Sequence, residues 1–286
     1  MSKSLEEIVK LIPDFVNELN EQMERRIRVI AEHYGDRIMS WDVCNESATD
    51  FGLGNQVPGA KLCKSHYGFM PGDYTYRSFQ IADEAFPKNV QLNINDYNLG
   101  QYYPDQVNDL RSRGCRIDIM GAQMHLFNPQ ACLDIADGKS NVQSPASVRQ
   151  TMERIGQAGL PIHLSEITIT APNNDERGQI IQAVIARNLY RLWFSLKPMM
   201  GITWWNVVDG CGAPGEPSVS GLYSLDMEPK PAAHALNKLI HHEWKTKKTV
   251  KAGEGGLVQF RGFRGKYKLS WKSADGTENS CEMSLE

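Results

Sequence analysis

Two carboxylates, Glu46 and Glu166, each close a short apolar run: Trp41-Asp42-Val43-Cys44-Asn45-Glu46 and Leu160-Pro161-Ile162-His163-Leu164-Ser165-Glu166-Ile167-Thr168. A charge at the end of an apolar strand is costly to desolvate, so it needs either a partner or a task. A salt bridge or a cap would account for either residue alone. Together they could serve a glycosidic bond. One carboxylic acid protonates the leaving oxygen, and the other carboxylate meets the anomeric carbon. A gap of about 5–5.5 Å makes the second group a nucleophile and retains configuration. Residues so distant in sequence meet only if their strands belong to one sheet or barrel.

The elements between them support that requirement. Strands are expected at Ile38–Cys44, Val90–Asn95, Ile117–Ala122, Pro161–Ile169 and Ile202–Val208, and helices near Tyr74–Phe86, Pro104–Arg113, Ala146–Gly159, Gln179–Leu196 and Ala232–Trp244. Strand followed by helix, repeated, implies parallel strands with helices outside. Polar residues gather at the C-terminal strand ends: Asn45 and Glu46, Asn95 to Asn98, Gln123 and His125, Glu166, then Asn206 and Asp209. An α/β barrel places its active site there. A doubly wound nucleotide fold would also do so, but no Gly-rich phosphate loop follows any strand. Upstream, Ser4-Leu5-Glu6-Glu7 reads as a capping box. Pro13 should break that first helix, and a second runs from about Asp14 to His33 with Phe15, Leu19, Met23, Ile27 and Ile30 as its packing stripe. Beyond about Lys245 the pattern changes. Leu257 to Trp271 alternates around Gly262 and Gly265, the mark of a small β appendage or two-stranded ribbon, so the division expected is 1–244 and 245–286.

Composition narrows the function classes. The chain has 286 residues, 41% hydrophobic and 23% charged, enough for a sizeable core. A net charge of −3 argues against a nucleic-acid surface. No apolar run approaches the roughly 18 residues a membrane span needs, and Met1 to Lys10 is too polar for a secretory signal. Six scattered cysteines form no C-x-x-C pair, which points to buried free thiols rather than a zinc or redox centre. His241-His242-Glu243 reads as helix surface, because adjacent helical residues point apart.

Ser40-Trp41-Asp42-Val43-Cys44-Asn45-Glu46 resembles the acid/base strand of glycoside hydrolase family 10, the endo-β-1,4-xylanase family, and Pro161–Ile167 resembles its nucleophile strand. The resemblance continues through Asn95-Asp96-Tyr97-Asn98, Gly121–Leu126, Gly201–Asp209 and Glu228-Pro229-Lys230-Pro231-Ala232, in the family's order. It implies a (β/α)8 TIM barrel acting on xylan or xylo-oligosaccharides by double displacement, with no metal and no organic cofactor, in a secreted or periplasmic setting. Glu46 would be the acid/base and Glu166 the nucleophile. Asn45 would bind the sugar 2-hydroxyl, Gln123 and His125 would flank the nucleophile, and Trp205 would form an aromatic wall. Asn95, Tyr97 and Asn98 would shape the cleft beside the acid/base.

Three departures set further expectations. Thr168 stands where the family usually has the Asp that supports its His. The Gly210 to Leu222 loop lacks the Trp expected after the last strand, which would widen the cleft. The acid/base strand is the first strand read here, so five of eight βα units are counted and the first three are missing. Exposed apolar edges would follow. A fragment or split gene is the favoured explanation; a second chain or a swapped copy completing the barrel are the others. A non-catalytic polysaccharide binder and another retaining glycanase of the same clan, such as a cellulase, are the rival functions.

Overall fold

The computed structural model describes residues 4–59 and 62–285. At the N-terminus α1 (Leu5–Leu11) starts on the expected capping box: the Ser4 hydroxyl accepts from the Glu7 amide, and the Glu7 carboxylate accepts from the Ser4 amide. After the break at Pro13 comes α2 (Phe15–Tyr34), whose half-buried stripe lies against α4 (Tyr74–Ala85). Between these two helices the chain lays down β1 (Ser40–Asn45), a short α3 (Ala48–Gly52), and the hairpin β2 (Leu62–Ser65) and β3 (Gly68–Pro71). The alternation then becomes regular: β4 (Gln91–Asp96), α5 (Tyr102–Ser112), β5 (Ile119–Gln123), α6 (Pro129–Ala136), α7 (Pro145–Ile155), β6 (Ile162–Ile167), α8 (Glu176–Phe194), β7 (Met199–Trp204) and α9 (Pro231–Lys238).

The strands form one parallel sheet in the order β1-β4-β5-β6-β7, with each helical crossover returning to the adjacent position. Such a succession of parallel βα units, each strand beside the last, is the way a barrel wall is built. Leu92, Ile94, Met120, Ile162, Leu164 and Ile167 are fully buried against Phe79, Tyr103, Val107, Ile155 and Trp193 from the surrounding helices. Tyr103 fixes two of these strands. Its hydroxyl lies 2.8 Å from the carbonyl oxygen of Ile94 and 2.6 Å from that of Gly121. Among the described residues, β1 pairs only with β4 and β7 only with β6, so the sheet has two open edges.

Several boundaries differ from the sequence reading, each for a physical reason. The apolar run Ile202–Val208 leaves the sheet after Trp204. Val208 instead bridges Tyr223, because the following loop folds back over the strand end. Pro161–Ile169 keeps ladder pairing only to Ile167, and Ile169 makes a single bridge to Leu126. Three elements escaped periodicity: α3, the β2–β3 hairpin and α6. All are short, although Asn128 before Pro129 is a recognisable start signal, and its side chain does accept from the amides of Gln130 and Ala131. The C-terminal ribbon pairs Gly265–Lys272 (β8) with Glu278–Leu285 (β9) and not within Leu257–Trp271, because the turn is supplied by Ala274-Asp275-Gly276. Phe263 leads into it and packs on Phe194, which stacks on Trp244 at 3.9 Å. Four cysteines are buried free thiols, as expected for all six; Cys211 and Cys281 are instead exposed and free, since both lie on surface segments. The Glu243 carboxylate pairs with Arg187, and His241 and His242 face solvent.

Candidate active site

Strand register sets the geometry of the site. Asn45 of β1 lies opposite Asn95 of β4, Asn95 opposite Gly121 of β5, and Gln123 of β5 opposite Glu166 of β6. Four neighbouring strands therefore deliver polar side chains to one end of the sheet. Register shifts between Asp42 and Cys44 and between Gly121 and Gln123 re-aim the last residues of β1 and β5, as bulges do beside functional sites. Gly121 is required for this packing, since a Cβ there would come within 2.4 Å of the Asn95 Oδ1.

The side chains form one hydrogen-bonded network. Asn95 Nδ2 donates to Asn45 Oδ1 and to Glu166 Oε1, both at 2.8 Å, while its own Oδ1 accepts from the Ser165 hydroxyl at 2.5 Å. Gln123 Nε2 donates to Glu46 Oε1 at 3.0 Å and lies 3.3 Å from Asn45 Oδ1. His125 Nε2 is 3.5 Å from Glu166 Oε2, and its ring stacks on Phe127 with centroids 4.3 Å apart. Glu46 and Glu166 thus line the same cleft, which has a volume of about 790 Å³. The Glu46 backbone amide donates to the Asn95 carbonyl, and Glu46 itself holds a left-handed backbone with φ of 58°. That conformation is uncommon for a residue with a side chain.

Trp205 and Tyr97 are half exposed on the cleft walls. The Trp205 indole N–H donates to Glu216 Oε1 at 3.2 Å, and Glu216 Oε2 accepts from the Ala213 amide. Two expected site residues stand elsewhere. Asn98 is turned away from the cleft: its amide donates to Thr49 Oγ1, and its Oδ1 accepts from the Gly100 amide, fixing the loop after β4. Thr168 is fully buried, and its hydroxyl donates to Asn206 Oδ1 at 3.1 Å. With that hydroxyl committed to Asn206, Thr168 gives His125 no support, and His125 Nδ1 is buried without a hydrogen-bond partner.

Other contributors carried no periodic signal. Tyr67, at the tip of the β2–β3 hairpin, donates its hydroxyl to the Asn45 carbonyl at 2.8 Å, and its oxygen lies 3.4 Å from Glu46 Oε2. Burial, then the Glu46 carboxylate, pushes the Tyr67 phenol above its ordinary pKa. Asp50 anchors the hairpin by accepting from the His66 amide and the Tyr74 hydroxyl. Asp96, fully buried at the end of β4, accepts from the Ala48 and Asn98 amides; burial outweighs these bonds and lifts its pKa to about 6. Lys230, almost wholly buried, pairs with Asp209 at 2.8 Å and pins the Gly210–Leu222 loop. Leu99, Phe127, Gln143 and Arg154 also line the cleft. The first three sit in loops without periodicity and Arg154 on α7, so only the fold brings them together.

Paired carboxylates and an aromatic wall at the C-terminal ends of parallel βα units are the layout of a barrel-type glycosidase. Sequence comparison makes the class specific: the chain belongs to glycosyl hydrolase family 10, whose model matches residues 6–239. It is 27% identical over 233 residues to endo-1,4-beta-xylanase A of Thermoanaerobacterium saccharolyticum, covering 76% of this chain and 18% of that protein. It is 24% identical over 240 residues to endo-1,4-beta-xylanase B of Thermotoga neapolitana, covering 80% and 64%. The chain therefore spans less than two thirds of the length of either relative. The fold is similar to that of xylanase 10B from Thermotoga maritima, with a TM-score of 0.62, 20% identity, and coverage of 79% of this chain and 68% of that one. It is also similar to xylanase 10B from Thermotoga petrophila RKU-1, solved with xylobiose, with a TM-score of 0.60, 20% identity, and coverage of 77% and 65%.

Proposed function

We propose that this chain carries the acid/base and nucleophile of an endo-acting enzyme cleaving β-1,4-xylosidic bonds with retention. The observation that carries the reading is the shared network: Gln123 holds Glu46, Asn95 holds Glu166, and both amides meet at Asn45. Glu166 attacks the anomeric carbon while Glu46 gives its proton to the departing glycosidic oxygen. Water then donates a proton to Glu46, its oxygen adds to the anomeric carbon, and the Glu166 ester is released as carboxylate. Asn45 is poised for the sugar 2-hydroxyl, and Trp205, braced by Glu216, offers an apolar face to the ring. Xylobiose bound to the Thermotoga petrophila relative fits a polysaccharide substrate of this kind. A polymeric substrate also favours a secreted or periplasmic site of action.

We further propose that three more βα units close the sheet between β1 and β7, supplied by further polypeptide of the same gene or by a second chain. The two open edges and the partial coverage of both relatives support this. The open edges also favour a second reading, a barrel portion that binds polysaccharide without turning it over. Xylan hydrolysis by the purified protein, with Glu46→Gln and Glu166→Gln as controls, separates the two. Release of reducing ends that each change cuts by at least about 100-fold supports catalysis, since acid–base catalysis alone contributes about 10²–10⁴. Turnover that survives both changes ends the assignment, and saccharide binding without turnover leaves the binding module. Carboxymethylcellulose in place of xylan tests the cellulase alternative. Mass and oligomeric state in solution show whether a second polypeptide completes the sheet.

A further inference from the structure

The cleft carries charge of both signs. Glu46, Glu166 and Glu216 line it together with Arg154, the one guanidinium or ammonium group lining it among the described residues. Arg154 projects from α7 and anchors itself with Nη1 donating to the Leu99 carbonyl at 3.2 Å. It makes no ion pair among the described residues, unlike Arg113 and Arg116, which are paired with Asp73, Asp83 and Asp118. One guanidinium edge is thus tethered, and the remaining donors have no carboxylate to satisfy them. A planar, tethered guanidinium with free donors suits a carboxylate, which it can engage with two parallel hydrogen bonds. A neutral sugar hydroxyl brings no opposite charge to that fork, whereas a carboxylate does, and it needs such a cation in a cleft that three glutamates also line.

Resting on the proposed glycan cleft, we infer that Arg154 is a specificity-determining residue that recognises a uronic-acid substituent on the sugar chain. Arg154 and its cleft neighbours Leu99, Phe127 and Gln143 come from α7 and from the segments following β4 and β5, none of which is an edge strand. The subsite therefore stands in the chain as it is.

The test uses the full chain carrying Glu46→Gln, which prevents turnover. Linear xylotetraose and the same backbone bearing one glucuronosyl substituent are titrated calorimetrically, with and without Arg154→Gln. The substituted sugar should bind about tenfold more tightly, one charge-assisted contact in a partly solvated site. Arg154→Gln should erase that preference and leave linear xylotetraose unchanged. Arg154→Lys, which keeps the charge but not the fork, should retain a part of it, and unchanged thermal midpoints show that both variants fold. The preference should also shrink as salt rises. Equal affinity for the two sugars, or a preference that outlasts Arg154→Gln, overturns the inference while leaving the glycanase reading intact. Failure to bind either sugar overturns both.

Discussion

The centre and the margins of the sheet have different surroundings. All five residues of β5 are buried, as are five of six in β4. In β1 and β7, at the margins, only Cys44 and Trp204 are buried. Apolar content does not follow this order, since the exposed β7 (MMGITW) is richer in apolar residues than the buried β4 (QLNIND), so composition does not explain the contrast; the number of neighbours does. A central strand is covered by a strand on each side and by helices, whereas a marginal strand leaves one row of backbone groups in contact with solvent, along with side chains such as Met200 in β7 and Met39 just before β1. The proposed catalytic pair spans this divide: Glu166 lies in an inner strand and Glu46 directly after an outer one.

Truncation tests the contrast most strongly. Leu164→Ala, in the buried middle of β6, should cost about 2–5 kcal/mol by chemical denaturation. Met200→Ala, on the open edge, should stay within about 0.5 kcal/mol. A large loss at Met200 would mean the edge is covered in solution.

The next largest effect comes from Asp96 at the end of β4. Its folded pKa of about 6 lies above the ordinary carboxylate value, so the protonated form is the better fit to the fold. The contribution is full at low pH and is lost as pH rises through about 4 to 6, on the order of 2–3 kcal/mol for this residue. Carboxyl NMR resonances should show a midpoint near 6, and a midpoint near 4 would remove the effect.

Tyr67→Phe probes the hairpin on the marginal side. It removes the bond to the Asn45 carbonyl and the oxygen facing Glu46, and should lower xylan turnover by about three- to tenfold with little change in melting temperature. Undiminished turnover would make Tyr67 a bystander. The smallest effect concerns association. Met39→Lys together with Met200→Lys should reduce concentration-dependent association, seen by light scattering, by charging both edges.

Much of this organisation was legible because inner strands and amphipathic helices obey simple periods. The patterns of β4, β5 and β6 mark them to within a few residues, and the strand-end motifs alone set Asn45, Glu46, Gln123, His125 and Glu166 at the C-terminal ends of their strands. Periodicity could not locate Tyr67, Glu216 or Arg154. They sit in loops or on a helix face whose direction depends on packing, and their partners are distant in sequence. Asn98 and Thr168 misled for the opposite reason. A motif fixes a residue's position along a strand, but competing partners decide where its side chain goes: Thr49 and Gly100 for one, Asn206 for the other.

The left-handed backbone at Glu46 carries one more consequence. Glycine tolerates that conformation without the crowding that a side chain imposes. Glu46→Gly should therefore leave a protein that melts at a higher temperature than its parent, by up to about 1 kcal/mol, while hydrolysing nothing. Durability and usefulness would part company at a single position, as they do where a fold accepts local tension to hold a reactive group in place.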